Sequence, residues 1–330
     1  MSWATRSESV NSERYDHNCD SRNYCHDSRD GAYSIDKDTE NYLPDPPTFT
    51  DELIEQCKRD LDFRPILFEW YKFIGAYCNV TACLTADSPA FRNIPPVHFA
   101  VLIGLLNRCS RLMLANIRLS CTGRYGETTQ LLDRSIEETA IKIQWLCHKD
   151  DTDCFRRYLA DGLKNDLKLK RLVEDSIRNR RGNALAIETQ MLRSIQEHIS
   201  LSGLSEQEVD DTKNLPDFAA MCQDLDLGVL YMPIQGIGSH AVHGTWIDLL
   251  SNYLTHDTGQ GFRPRDHEID TQDVQYMIVS QLVLMAVSSF VKYLVADPSN
   301  MEGFLLIQKG IEDKFVEMQD LAWALDFKVE

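Results

Sequence analysis

The sequence predicts an all-α protein, a helical bundle-like domain of about six or seven main helices. Three observations carry this reading. Long segments repeat apolar residues at i, i+3, i+4 and i+7, the spacing that gathers them on one face of a helix. No segment alternates apolar and polar residues for more than a few positions, as a half-buried strand requires. Turn-forming clusters separate the periodic segments, Pro95–Pro96, Thr122–Gly123 and Asp150 to Asp153 being the clearest.

Composition sets the bounds. With 330 residues and 43% apolar content, the chain can build one large domain or two small ones. The net charge of -17 disfavours a general, salt-driven affinity for nucleic acid. Ten cysteines are scattered without a CxxC pair, which reads as reduced thiols in a cytoplasmic protein. The polar N-terminus has no apolar core of a signal peptide, and no membrane span is expected.

Residues 1–48 are rich in Ser, Asp, Asn and Arg without period, and read as a disordered polar leader. His17, Cys19, Cys25 and His26 fall within it at spacings that fit no strong zinc pattern. Residues 49–295 read as the helical domain. Thr50 or Asp51 caps its first helix. Ile66, Trp70, Phe73, Ile74 and Tyr77 mark a second helix, ending near Thr85. His98 to Leu119 is a long, mostly apolar helix that Arg108 and Arg111 interrupt. A helix from Asp153 to Arg178 carries an unusually basic polar face, with Arg156, Arg157, Lys164, Lys168, Lys170 and Arg171. The plain reading is a solvated face that balances an acidic neighbour, and the sharper one is a patch for phosphates or an acidic partner. Helices follow over 183–199, 205–211 (with Ser205 and Glu208 as a capping box) and 216–225. Another is expected to start near Ser239 and run through Leu254, followed by a loop to His267. Asp273 to Leu294, apolar nearly all round, has the profile of a central helix. Residues 296–330 form an acidic amphipathic tail, expected as a short helix or two and as a contact for a second copy.

The helix from Arg124 to His148 organises the chain. Leu132, Ile136, Thr139, Ile143 and Leu146 share one arc, while Glu127, Arg134, Glu138 and Trp145 lie opposite, with Leu131 and Ile141 among them. A solvent face seldom carries Leu, Ile and Trp between its charges, so this second face is expected to be covered. Carboxylates and a guanidinium under cover need partners. The second notable stretch is 239–246, SHAVHGTW. His240 and His243 are three apart and share a helical face. With Glu138 or Glu127 from a neighbouring helix they could chelate a divalent metal. Without metal, His243 or His240 could act as general acid or base while Arg134 or Arg124 holds a phosphate, with Glu127 and Glu138 orienting them. The plainer readings are an i,i+4 ion pair for Arg134 and Glu138 and ordinary packing for each histidine.

The GRYGETTQLLDRSIEETAIKIQWL and IGSHAVHGTW blocks resemble the DUF5677 family of uncharacterised bacterial helical proteins, over roughly 55–295. The sequence is also similar to HEPN-type helical ribonucleases of toxin and phage-defence systems. Those place an Arg, a polar residue, a short gap and a His on a late helix, with the site formed where two copies meet. Here His243 stands at the end of that pattern and Ser239 at its polar position, but the arginine position, near 238, is Gly238. This resemblance implies RNA or nucleotide substrates, a phosphodiester-cleaving effector and a homo-oligomer. The residues leave two alternatives open, a non-enzymatic helical interaction or regulatory module and a metal-dependent hydrolase.

Overall fold

The structure, a computed structural model, describes residues 45–88, 91–257, 261–295, 299 and 302–326. Residues 1–44 of the leader, with His17, Cys19, Cys25 and His26, and the chain's last four residues lie outside them. The described elements are α1 (Asp51–Asp60), α2 (Arg64–Thr81), α3 (Pro96–Ser120), α4 (Gly126–Lys149), α5 (Thr152–Asn179), α6 (Ala186–Ser202), α7 (Glu206–Asp211), α8 (Phe218–Asp224), α9 (Gly228–His243), α10 (Trp246–Asp248), β1 (Leu254–Asp257), β2 (Gly261–Pro264), α11 (Asp273–Leu294) and α12 (Glu302–Asp326). The all-α expectation holds.

Four helices form the centre. α2 packs on α3, α3 on α4, α4 on α11 and α11 back on α2, so each touches two neighbours in a closed ring. The apolar stripes read from the sequence meet inside it: Ile66, Trp70 and Ile74 of α2, Leu102, Leu106 and Met113 of α3, Ile136 and Ile143 of α4, and Leu282, Val283 and Phe290 of α11 are all buried. α3 and α11 are long and apolar enough to cross a membrane by composition, and both are members of this ring. α12 packs across α2 and α11, and α8 and α9 cover the outer side of α4. The eight described cysteines are free.

Several boundaries move for local reasons. α2 ends at Thr81, one turn before the expected Thr85. α1 starts where expected, with the Thr50 hydroxyl accepting the Leu53 N–H. The tail is one 25-residue helix, α12, rather than two short ones. The largest correction concerns 228–264. The helix that bears His240 and His243 starts at Gly228 and stops at His243, because Gly244 adopts a left-handed conformation (φ 55°) and donates its N–H to the His240 carbonyl. Thr245 then caps the short α10, which continues as a π-helical turn, Leu249–Tyr253. The expected loop contains an antiparallel hairpin that pairs Thr255 with Arg263 and His256 with Phe262.

α5 leaves the ring. Its first turns, Cys154 and Phe155, belong to the main core, but from Ala160 onward it packs with α6 and α7 around a second, small core of Ala160, Leu163, Leu167, Ile195, Ile199 and Val209. The three helices form an arm. Its basic face is largely spoken for: Arg156 pairs with Glu208, Lys170 with Glu206, Arg171 with Asp210 and Arg180 with Glu188. Arg157 and Lys164 donate to the carbonyls of Asn214 and Thr212. The acidic neighbour that the basic run calls for is therefore α7 and its flanks.

Candidate functional site

The face of α4 opposite its main apolar arc is covered around Ile141 and Trp145, as those residues require, while Leu131 on the same face stays exposed, against expectation. Glu127, Arg134, Ile141 and Trp145 are all buried. Each charged residue has a distinct role. Glu127 accepts the N–H of Ile269 at 3.0 Å, which ties the segment before α11 to the start of α4. Arg134 forms an ion pair with Glu138 one turn on, the latter partly exposed. The ring of Phe218, from α8, lies over the Arg134 guanidinium, with its centroid 4.5 Å from Cζ. Trp145 donates its indole N–H to Asp224 at 2.8 Å, and Lys149 pairs with the same carboxylate.

These contacts set the course of α9. It follows α8 beside the C-terminal end of α4, where Trp145 and Lys149 hold Asp224. It packs along α4 and gives way to residues 246–253 near the other end. There burial pushes the Tyr253 hydroxyl up, and the nearby carboxylates of Asp248 and Glu127 add to the shift. α9 therefore runs antiparallel to α4, with its histidines toward the half that carries Glu127 and Arg134. His240 is half-buried and its Nδ1 meets the Thr245 hydroxyl at 2.8 Å. His243 is the last residue of α9 and is exposed. Arg124 is exposed, and its carbonyl accepts the Thr271 hydroxyl.

Of the residues singled out from sequence, then, Arg134 and Glu138 meet as a pair, Glu127 serves the backbone of Ile269, and His240 serves Thr245. Among the described residues no three His, Cys, Asp or Glu side chains converge as a metal ion needs, so His240, His243 and Glu138 do not form a ready-made metal centre.

The structure adds a polar layer that periodicity does not reveal. Each helix of the ring contributes to it: Tyr71 from α2, Asn116 from α3, Asp133 and Glu137 from α4, Gln275 and Tyr276 from α11. Asp133 accepts from the side-chain amides of Asn116 and, at 2.8 Å, Gln275. The Gln275 amide also reaches Thr129. Burial pushes the Asp133 carboxyl up to about 7. Burial, then the charge of Asp133, pushes Glu137 up to about 8. The Tyr71 hydroxyl is buried here with no hydrogen-bond partner. The only sequence signal for Asp133 and Glu137 is their i,i+4 spacing, which on an ordinary helix describes a solvent stripe just as well.

Comparison with known proteins agrees with the resemblance carried by the two blocks. A family model matches residues 99–262, from the first turn of α3 to the β2 strand. This segment is similar to the DUF5677 family. DUF5677 is described as a family of unknown function. No curated protein and no solved structure matches the chain. The DUF5677 match is narrower than the expected 55–295. It takes in α3 and α4, the whole arm, and α8 to β2 with the two histidines, while α2, α11 and α12 fall outside it. The ring of four helices is thus completed by chain on both sides of the DUF5677 segment.

Proposed function

We propose that this chain is a non-enzymatic helical interaction module. One observation carries the reading: the charged face that would hold a reaction centre is occupied by the protein itself. Arg134 lies under Phe218 and against Glu138, and Glu127 is engaged by Ile269. What the chain offers instead is apolar. Trp246 and Ile247 are each 55% exposed and Phe262 is 51% exposed. The Trp246 and Phe262 rings meet edge to face at 5.3 Å, so α10 and the hairpin form a joined surface, and Val242 and Tyr253 flank it. Single exposed apolar residues are ordinary, whereas joined ones mark a surface for a partner. A π-helical turn runs through it, a device often found at functional sites.

A second reading, phosphodiester or nucleotide chemistry at His243, draws support from the antiparallel course of α9, which directs an exposed histidine toward the Arg134 half of α4. One experiment separates the two. Turnover of RNA and of nucleotides is measured for the wild-type chain and for His243→Ala, with and without added divalent ion, and metal content is assayed on the same sample. The module reading expects no turnover that depends on His243. Cleavage that His243→Ala abolishes, with helicity unchanged, replaces it with the enzymatic reading; stoichiometric bound metal beside that result makes the chemistry metal-dependent.

A further inference from the structure

The outer half of the arm differs from the rest of the molecule in charge and in exposure. Between Lys168 and Arg193 there are seven Lys or Arg against three Asp or Glu, in a chain whose net charge is -17. The same stretch exposes large aliphatic side chains: Leu172 at 65%, Ile187 at 58% and Leu185 at 54%. The reason is geometric. α7 covers the arm from its base to about Arg171, with Val209 closing the small core and ion pairs to Arg156, Lys170 and Arg171. Beyond that point α5 and α6 lie as a two-helix hairpin with no third helix across them among the described residues, and two helices alone cannot bury their apolar stripes on both sides.

One other surface of this chain has the opposite character. α12 carries six Asp or Glu against two Lys over 302–326. Its outer side exposes Leu306 at 74%, Ile307 and Val316 together with Asp313, Glu317 and Asp320. A basic, apolar hairpin that lacks a third helix and an acidic helix with an uncovered apolar side are complementary in both respects. We propose that the outer half of the arm docks on α12 of a second copy of this chain, where α12 supplies the missing third helix and its acidic side chains face Lys168 and Arg181, the cations there that the arm's own carboxylates leave exposed; Arg178 is held by Asp175. The two surfaces are different, so the contact is heterologous: it closes into a ring or a reciprocal pair, or else it propagates. This proposal is independent of whether the His243 region is catalytic.

Sedimentation velocity of the full chain tests it over a range of concentrations, at low and at high salt. The wild type is expected to self-associate, and less so as salt rises. Lys168→Glu with Arg181→Glu should weaken association at least tenfold, and so should Asp313→Lys with Glu317→Lys. All four positions are exposed, and circular dichroism checks that the fold is retained. Mixing the two variants brings an acidic arm to a basic α12 and should restore association between them. A wild type that stays monomeric up to millimolar concentration overturns the proposal. So does association that neither pair of substitutions affects, or a mixture that stays unassociated after each variant alone has lost it.

Discussion

The Phe218 ring lies over the Arg134 guanidinium, at 4.5 Å, and turns the most suggestive charged residue of the organising helix into part of a helix–helix contact. α8 is held there at its other end by the Trp145 and Lys149 contacts to Asp224. Phe218→Ala should cost about 1–3 kcal/mol, from lost apolar burial and the lost cation–π contact. Urea unfolding measures the cost. A change below about 0.5 kcal/mol would mean that α8 does not hold the Arg134 face closed.

The carboxyls of Asp133 and Glu137 make stability depend on pH in an unusual direction. Their folded values, about 7 and about 8, lie above those of an unfolded chain, so the native state holds protons that the unfolded state has released. The resulting stabilisation is complete below about pH 4 and is lost as pH rises through 7 and 8, by up to about 1.4 kcal/mol per pH unit for each proton held. Unfolding midpoints from pH 5 to 9 should therefore fall, and Glu137→Gln should flatten the fall. A midpoint that does not fall over this range in the wild type would show that the layer is not protonated in the folded state.

Gly126 has no room for a side chain. A Cβ there would stand 2.4 Å from the Asp270 carbonyl oxygen, because the segment entering α11 crosses α4 at this point and its Ile269 carbonyl accepts the Gly126 N–H. Gly126→Ala should destabilise by about 1–3 kcal/mol or more. Gly104, within α3 and with open space around its would-be Cβ, is the control. There alanine should stabilise by about 0.5–1 kcal/mol. Equal effects at the two positions would contradict the close crossing of α4 by 269–271.

The arm should open on its own. Its core consists of a few aliphatic side chains, separate from the main cluster. Amides of α5 beyond Ala160 and of α6 are expected to exchange hydrogen well before those of α4 and α11. Leu167→Ala, at a buried position of that small core, should speed their exchange further and leave α11 unchanged. Parallel loss of protection in α11 would show that arm and ring unfold as one unit.

Residues whose role is set by their own neighbours in the chain were legible without the fold. α11 is legible to the residue at both ends, because Asp273 to Leu294 is apolar nearly all round. The Thr50 cap and the Ser205–Glu208 capping box were legible for the same reason, since each is a contact over three residues. The covered second face of α4 also followed from sequence, because Ile141 and Trp145 cost too much in water beside Glu127 and Arg134. What covers that face was not legible.

By itself, then, the sequence determined the helical class, most helix boundaries, the cover over Ile141 and Trp145 on the charged face of α4 and the resemblance to DUF5677 carried by two local blocks. The tertiary structure decided what those charges do. Phe218 lies far along the chain from Arg134, and Ile269 far from Glu127, so neither pairing has a period or a spacing to reveal it. It also decided that Asp133 and Glu137 lie in the centre of the ring. An i,i+4 pair of acids has the same spacing in water as in a core, and only the other helices of the ring take the water away.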